Sequence, residues 1–365
     1  MNRYIGVDLH TNSFTTCTRS PEGDEAFATW PLSAGGLGAF CAGLREDDEL
    51  AVEATGNSAF FRDHVMPHVG RVVVVAPQSF QVIRKSVKKT DRNDASALAF
   101  FLSKDMLPEA RNKEERYQQL NSLCATRDQM VKLKTSLIGK VHGILNRHGI
   151  KEKKERLTTK KGLASSLEHG FAPVVQAELT VIAEQIEHLQ GSIKKLESSM
   201  LEAAKALPGF DGLVSIKGIG ERSAAILLSV IGNIRDFESA DKLAAYLGIV
   251  PRVSQSNETC NVGRITKRGS KLGRTTLVQC TLIAIRYSKY LRDFYERIKE
   301  RRGAAKAIIA TARKFAAIIF NTLRHGWIFE DFTTFTKRTV DLMDNAAALS
   351  TTPQPHQPLG SRQLS

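Results

Sequence analysis

The chain has 365 residues, 42% of them hydrophobic, with a formal net charge of +14 and a pI near 9.6. That length allows two or three domains with ample core. No apolar run approaches the roughly 18 to 20 residues that cross a bilayer, so a membrane protein is not expected. The five cysteines, Cys17, Cys41, Cys124, Cys260 and Cys280, are scattered without metal-ligand spacing, which suits a reducing cytoplasm.

The opening MNRYIGVDLH reads as a strand and carries no secretory core. YIGVDLH and SFTTCTR form a hairpin, with EAFATWPL as a third strand. LGAFCAGL is helical, LAVEATG a strand, SAFFRDHVMPHV helical and RVVVVAP a buried strand, and further helices start at Gln78 and Asp91. Three strands followed by helix–strand alternation predict an α/β domain with one mixed sheet over residues 1–110.

Residues 111–206 change period. Ile182, Ile186, Leu189, Ile193, Leu196, Met200 and Ala203 follow alternating steps of four and three, a heptad seam. An earlier run, about 112–147, carries Met130, Leu133, Leu137, Val141 and Ile144 at similar spacing. The basic stretch 147–161 lies between them, so the pattern predicts an antiparallel coiled-coil arm with a charged tip. Pro208 and Gly209 then open a unit over 207–330, where LVSIKGIGERSAAILLSVIG resembles a helix-hairpin-helix with its turn at Gly218-Ile219-Gly220. Glycines there would let backbone amides approach a phosphate. The pattern is helical from 275 to about 330. Residues 331–365 form an extension, Pro-, Ser- and Gln-rich and disordered from about 346.

Charge is unevenly spread. Residues 1–64 hold ten acids and four bases, a balance of −6, so the rest carries +20. The excess clusters at Arg84, Lys85, Lys88, Lys89 and Arg92; at the arm tip with Lys153, Lys154, Lys160 and Lys161; and over 297–314. Another cluster runs through GRITKRGSKLGR, with Arg264, Lys267, Arg268, Lys271 and Arg274; Arg252 and the turn's Lys217 add to the set. Separated basic clusters behind an acidic start point to nucleic acid. The 7% aromatic content argues against base stacking as the main mode of recognition.

Within KKTDRNDA, Asp91 and Asp94 stand three apart, on one face of a helix. Asp8 lies on the first strand and Glu53 ends the fourth. If those strands are neighbours, four carboxylates converge, and they would repel unless a divalent cation neutralised them. Oxygen-only ligands in that number suit Mg²⁺ or Mn²⁺, and ion pairs of this type serve phosphodiester chemistry. Ordinary ion pairing and an Asp91 helix cap are the alternative reading.

GVDLH, VEATG and KKTDRNDA, in that order and spacing, resemble the N-terminal domain of the DEDD-motif insertion-sequence transposases, the family numbered one hundred and ten. The second half, SIKGIGERSAAILLSVIG and LAAYLGIVPRVSQSNETCNVGRITKRGSKLGRTTLVQ, is similar to that family's C-terminal transposase domain. The resemblance spans about residues 3–325. It implies an RNase H/RuvC-like first domain, with Asp8, Glu53, Asp91 and Asp94 as the D, E, D and D, and a mainly helical C-terminal domain. It also implies a serine that attacks DNA and forms a covalent phosphoserine. The fitting residues are Pro251, Ser256 and Gly263-Arg264-Ile265-Thr266-Lys267, with Ser254 as runner-up; Asn257 stands where glycine is usual. The implied partners are double-stranded DNA at element ends and target, and a guide RNA encoded by the element. Two strand exchanges in one synapse imply a homo-tetramer. The rival reading is a RuvC-like structure-specific endonuclease using water as nucleophile.

Overall fold

The computed structural model describes residues 2–76, 90–256 and 259–327. The expected helix from Gln78, the bases Arg84, Lys85, Lys88 and Lys89, and the tail from 346 lie outside the described residues. The chain divides into two units, Met1–Asn112 and Lys113–Ser365.

In the first unit, β1 (Tyr4–Leu9), β2 (Ser13–Arg19) and β3 (Glu25–Pro31) form an antiparallel meander. After α1 (Ala34–Cys41), β4 (Glu49–Glu53) pairs parallel with β1; after α2 (Ser58–Val65), β5 (Arg71–Val75) pairs parallel with β4. The sheet order is β3-β2-β1-β4-β5, so the first and fourth strands are neighbours.

The two-residue period sorts the side chains. Ile5, Val7, Leu9, Phe14, Leu50 and Val52 join Leu37 and Phe40 of α1 and Phe61 and Val65 of α2 in one apolar layer. Gly6, Asp8, Ala51 and Glu53 therefore belong to the opposite face. There α3 (Asp91–Ser103) covers the sheet, with Leu98 and Leu102 on Ala51, Val73 and Val75, and Ala95 and Ala99 beside Cys17. Alanines at the crossing let helix and strand approach closely, and Gly6 completes the fit. A Cβ at Gly6 would lie 1.9 Å from the Ala95 carbonyl oxygen and 2.5 Å from the Ala99 nitrogen.

The second unit opens with a helical hairpin, α4 (Glu115–Arg147) and α6 (Pro173–Lys205). Tyr117, Leu120 and Cys124 at the start of α4 share a core with Met200 and Ala204 at the end of α6, whereas Ile138 to Leu145 meet Leu179 to Ile186, so the helices are antiparallel. Buried Leu179, Ile186, Ile193 and Met200 keep the seven-residue repeat. The second row, Ile182, Leu189, Leu196 and Ala203, is half-buried, with Ala183 and Ala204 buried beside its two ends. The tip is itself folded: α5 (Lys160–Ser165) and the turn before it bury Leu157 and Leu163 against the hairpin. At its base, Arg127 Nε and Nη2 of α4 donate to Glu197 Oε1 of α6 at 2.9 and 2.6 Å.

The hairpin base continues into the core of α7 (Phe210–Ser215), α8 (Glu221–Ile231) and α9 (Ala240–Tyr246). Helices α10 (Lys271–Tyr287), α11 (Lys289–Arg302) and α12 (Ala304–His325) complete it. Between α7 and α8, Gly218 has φ +115°, and a Cβ there would sit 2.8 Å from the Ala284 nitrogen of α10. The missing side chain thus serves helix packing within the protein. A two-stranded ribbon, β6 (Pro251–Ser256) with β7 (Thr259–Ile265), interrupts the helices. It was not legible in PRVSQS and TCNVGRI because a mostly polar ribbon carries little alternating apolar signal.

Candidate metal centre

Asp8 follows Val7 on β1, and Glu53 follows Val52 on β4; Val7 and Val52 are register partners in the parallel pair. The two acids therefore stand at the same end of adjacent strands, on the same face. Thr90, not Asp91, caps α3: its Oγ1 accepts from the Asn93 amide at 3.3 Å. This overturns the capping role for Asp91, which instead opens the first helical turn with Asp94 one turn along the same face. Asp94 is buried and Asp91 exposed. Negative charge at a helix N-terminus is favourable in itself, but two acids directed at two more is not.

The electrostatics link the acids to Asp8. Burial pushes the Asp8 carboxyl above the usual carboxylate range; His10 opposes the shift, while Asp91, Asp94 and Glu53 each add to it. Among the described residues, only Asp8 and Asp91 of the four acids bring ligand atoms together, joined by His10, while Glu53 and Asp94 act on Asp8 through their charge. A contrast comes from Asp48, which is fully buried and receives Arg3 Nε and Nη2 at 2.8 and 2.6 Å and the Arg45 amide at 2.8 Å. Asp48 is a structural acid with its charge answered inside the fold. Asp8 is answered instead by His10, whose Nε2 lies 3.3 Å from Asp8 Oδ2 and 3.4 Å from Asp91 Oδ2.

Asp8, His10 and Asp91 present one ligand atom each within 4.8 Å of one another. The residues fit a hard divalent cation: oxygen donors dominate and carry excess negative charge. Sequence reasoning passed over His10, although a strand period places it two residues past Asp8 on the same face. Neighbouring Cys17 is no competing nucleophile, because burial and the nearby Glu25 push its thiol up to about 12.

Ser256 and Ser254 lie on β6 in the second unit. Ser256 pairs with Thr259 across the ribbon, which places it at the turn end of the strand. The segment after β7 is fixed to α9: Gly248 and Gly269 have φ +70° and +80°, and a Cβ on either would lie 2.1 Å from a carbonyl oxygen, of Arg268 and Tyr246 respectively. Lys267 between them adopts φ +54°, unusual for a residue with a side chain. Arg252, Arg264, Lys267, Arg268 and Lys271 belong to this ribbon and the segment that follows it. Arg274 is half-buried and donates to the carbonyls of Leu247 at 3.3 Å and Arg268 at 3.5 Å, so its guanidinium braces this segment. Elsewhere, Lys153, Lys154, Lys161 and Lys217 are exposed, Lys160 pairs with Glu187 at 3.5 Å, and Arg92 lies over the Phe27 ring.

Comparison with known proteins agrees with this architecture. Residues 5–150 match the transposase model of the DEDD type of IS110, and residues 211–296 match the transposase IS116/IS110/IS902 family. The transposase for insertion sequence element IS1111A of Coxiella burnetii is 29% identical over 68% of this chain and 70% of its own length. The transposase for IS1328 of Yersinia enterocolitica is 24% identical over 89% of this chain and 98% of its own. The pilin gene-inverting protein of Moraxella lacunata is 25% identical over 90% and 97%. No helix among the described residues is long and apolar enough to cross a membrane. With both halves matched in order along one chain, the protein belongs to the IS110 family of DEDD insertion-sequence transposases, enzymes of DNA recombination.

Proposed function

We propose that this transposase cuts and rejoins DNA through a phosphoserine at Ser256, assisted by divalent ions held by Asp8, Glu53, Asp91 and Asp94. The observation that carries the reading is the packing of α3 on β1 at Gly6, because it sets the first helical turn beside the acids that end β1 and β4. This arrangement supports an RNase H/RuvC-like catalytic domain over 1–110, with 111–206 as arm and 207–330 as the nucleophile-bearing domain.

Bound Mg²⁺ or Mn²⁺ would lower the charge on the scissile phosphate and on the departing oxygen. The chain supplies the remainder. Ser256 Oγ forms a bond to phosphorus as the bond to a deoxyribose oxygen breaks; the seryl proton is lost to a base and the freed oxygen takes one up. A hydroxyl of the exchanged strand then attacks the phosphoserine, restoring Ser256 and a phosphodiester without external energy. Arg252, Arg264, Lys267 and Arg268 surround the ribbon in sequence and would balance the phosphate charge in the transition state. A serine of one protomer meeting the acids of another, in a tetramer, accounts for placing nucleophile and acids in separate units. The exposed bases would divide between double-stranded DNA and a guide RNA, with base pairing reading sequence.

The test is incubation of the full chain with Mg²⁺, element-end DNA and element-derived RNA, followed by denaturing electrophoresis. A DNA-linked protein band that Ser256→Ala abolishes is expected. Cleaved DNA with no linked protein would overturn the phosphoserine in favour of a water-using endonuclease.

A further inference from the structure

His10 is held more firmly than an exposed loop residue needs to be. Its amide donates to the Ser13 carbonyl at 2.9 Å, and its carbonyl accepts from Asn57 Nδ2 at 3.3 Å. The residue is thus tied both to the start of β2 and to the entrance of α2, at the point where β1 ends. This anchoring aims Nε2 between two carboxylates that come from different elements, one from the sheet and one from α3.

Nε2 stands 3.3 Å from Asp8 Oδ2 and 3.4 Å from Asp91 Oδ2. Around a small octahedral ion with bonds of about 2.1 Å, adjacent donors lie about 3 Å apart. Both separations are close to that edge, and a few tenths of an ångström of side-chain motion would close it.

We infer that His10 Nε2 is a nitrogen ligand to a divalent ion bound between Asp8 and Asp91, giving this chain a metal position of mixed nitrogen and oxygen donors. The inference rests on the proposed reading of the carboxylates as metal ligands and makes their site asymmetric. The position with imidazole favours Mn²⁺ over Mg²⁺, since imidazole suits transition ions and oxygen donors alone suit magnesium.

Pulsed electron paramagnetic resonance of the full chain with Mn²⁺ tests this without any need for activity. The wild type is expected to show ¹⁴N modulation from one imidazole. His10→Gln should bind Mn²⁺ without that modulation and with its Mn²⁺ affinity lowered about tenfold or more relative to Mg²⁺. His64→Gln, altering an exposed histidine of the same unit that packs on Phe60, should retain the modulation. Mn²⁺ binding that depends on Asp8 but shows no nitrogen coupling, or coupling that survives His10→Gln, would overturn the histidine's role and leave the carboxylate reading intact. Absence of any Mn²⁺ binding that Asp8→Asn removes would overturn the carboxylate reading itself.

Discussion

Gly6→Ala should damage the metal centre from a position that bears no functional group. Its new Cβ would stand 1.9 Å from the Ala95 carbonyl oxygen, a backbone atom that no rotamer change can move. Reaching an ordinary separation of about 3.5 Å requires α3 to retreat by roughly 1.6 Å, or β1 to yield as far. Overpacking of this kind costs about 1–3 kcal/mol, and the upper end applies because both partners are main chain. Ala95 directly follows Asp94, so the retreat carries Asp91 and Asp94 away from Asp8. Misplacement of about 1 Å costs on the order of 100-fold in a reaction that depends on positioning. The assay pairs urea unfolding with Mn²⁺ titration and DNA cleavage. Gly38→Ala is the control: it lies within α1 with nothing within 4 Å of its would-be Cβ, and should stabilise by about 0.5–1 kcal/mol. Similar stability and metal affinity in both variants would refute the claim that Gly6 sets the approach of α3.

Three other outcomes rest on the same geometry. Because the Asp8 carboxyl is raised in the fold, its stabilising contribution is complete below its ordinary pKa and is lost as pH rises through the raised value. Asp8→Asn should therefore raise the metal-free melting temperature at neutral pH, by about 2–4 °C for each kcal/mol relieved, and abolish the increase caused by Mn²⁺; thermal scans with and without the ion check both. Glu197 behaves oppositely: burial pushes it up, but the Arg127 and Arg222 guanidiniums outweigh that and hold it below its usual value. Arg127→Ala should lower unfolding free energy by about 1–2 kcal/mol at neutral pH, a difference that shrinks as acid titrates Glu197 and is read from urea midpoints at several pH values. Replacing Lys153, Lys154 and Lys161 at the arm tip with alanine should leave unfolding unchanged. The slope of log affinity for duplex against log salt should flatten by about 0.9 for each phosphate that these lysines would have neutralised.

The sheet and the arm were legible because their signals are periodic. GVDL and LAVE each alternate cleanly, so the faces of Asp8 and Glu53 follow from parity once β1 and β4 are neighbours. The spacing of Asp91 and Asp94 likewise fixes their common face. What the sequence could not convey was distance: only the close approach at Gly6, with Ala95 and Ala99 opposite, shows how α3 joins the acids to the sheet. His10 was hidden for a related reason, since its partners lie on two elements and Asp91 is far from it in sequence. The ribbon bearing Ser256 escaped because its residues are mostly polar, and Thr90 displaced Asp91 as cap because a threonine just before an acid offers the same signal one position earlier.

The central claim is that these carboxylates jointly grip a divalent ion. Anomalous diffraction from crystals of the full chain soaked in Mn²⁺ tests it most directly. A manganese peak bonded to both Asp8 and Asp91 is predicted; no peak there, at a concentration that supports DNA cleavage in solution, would contradict it.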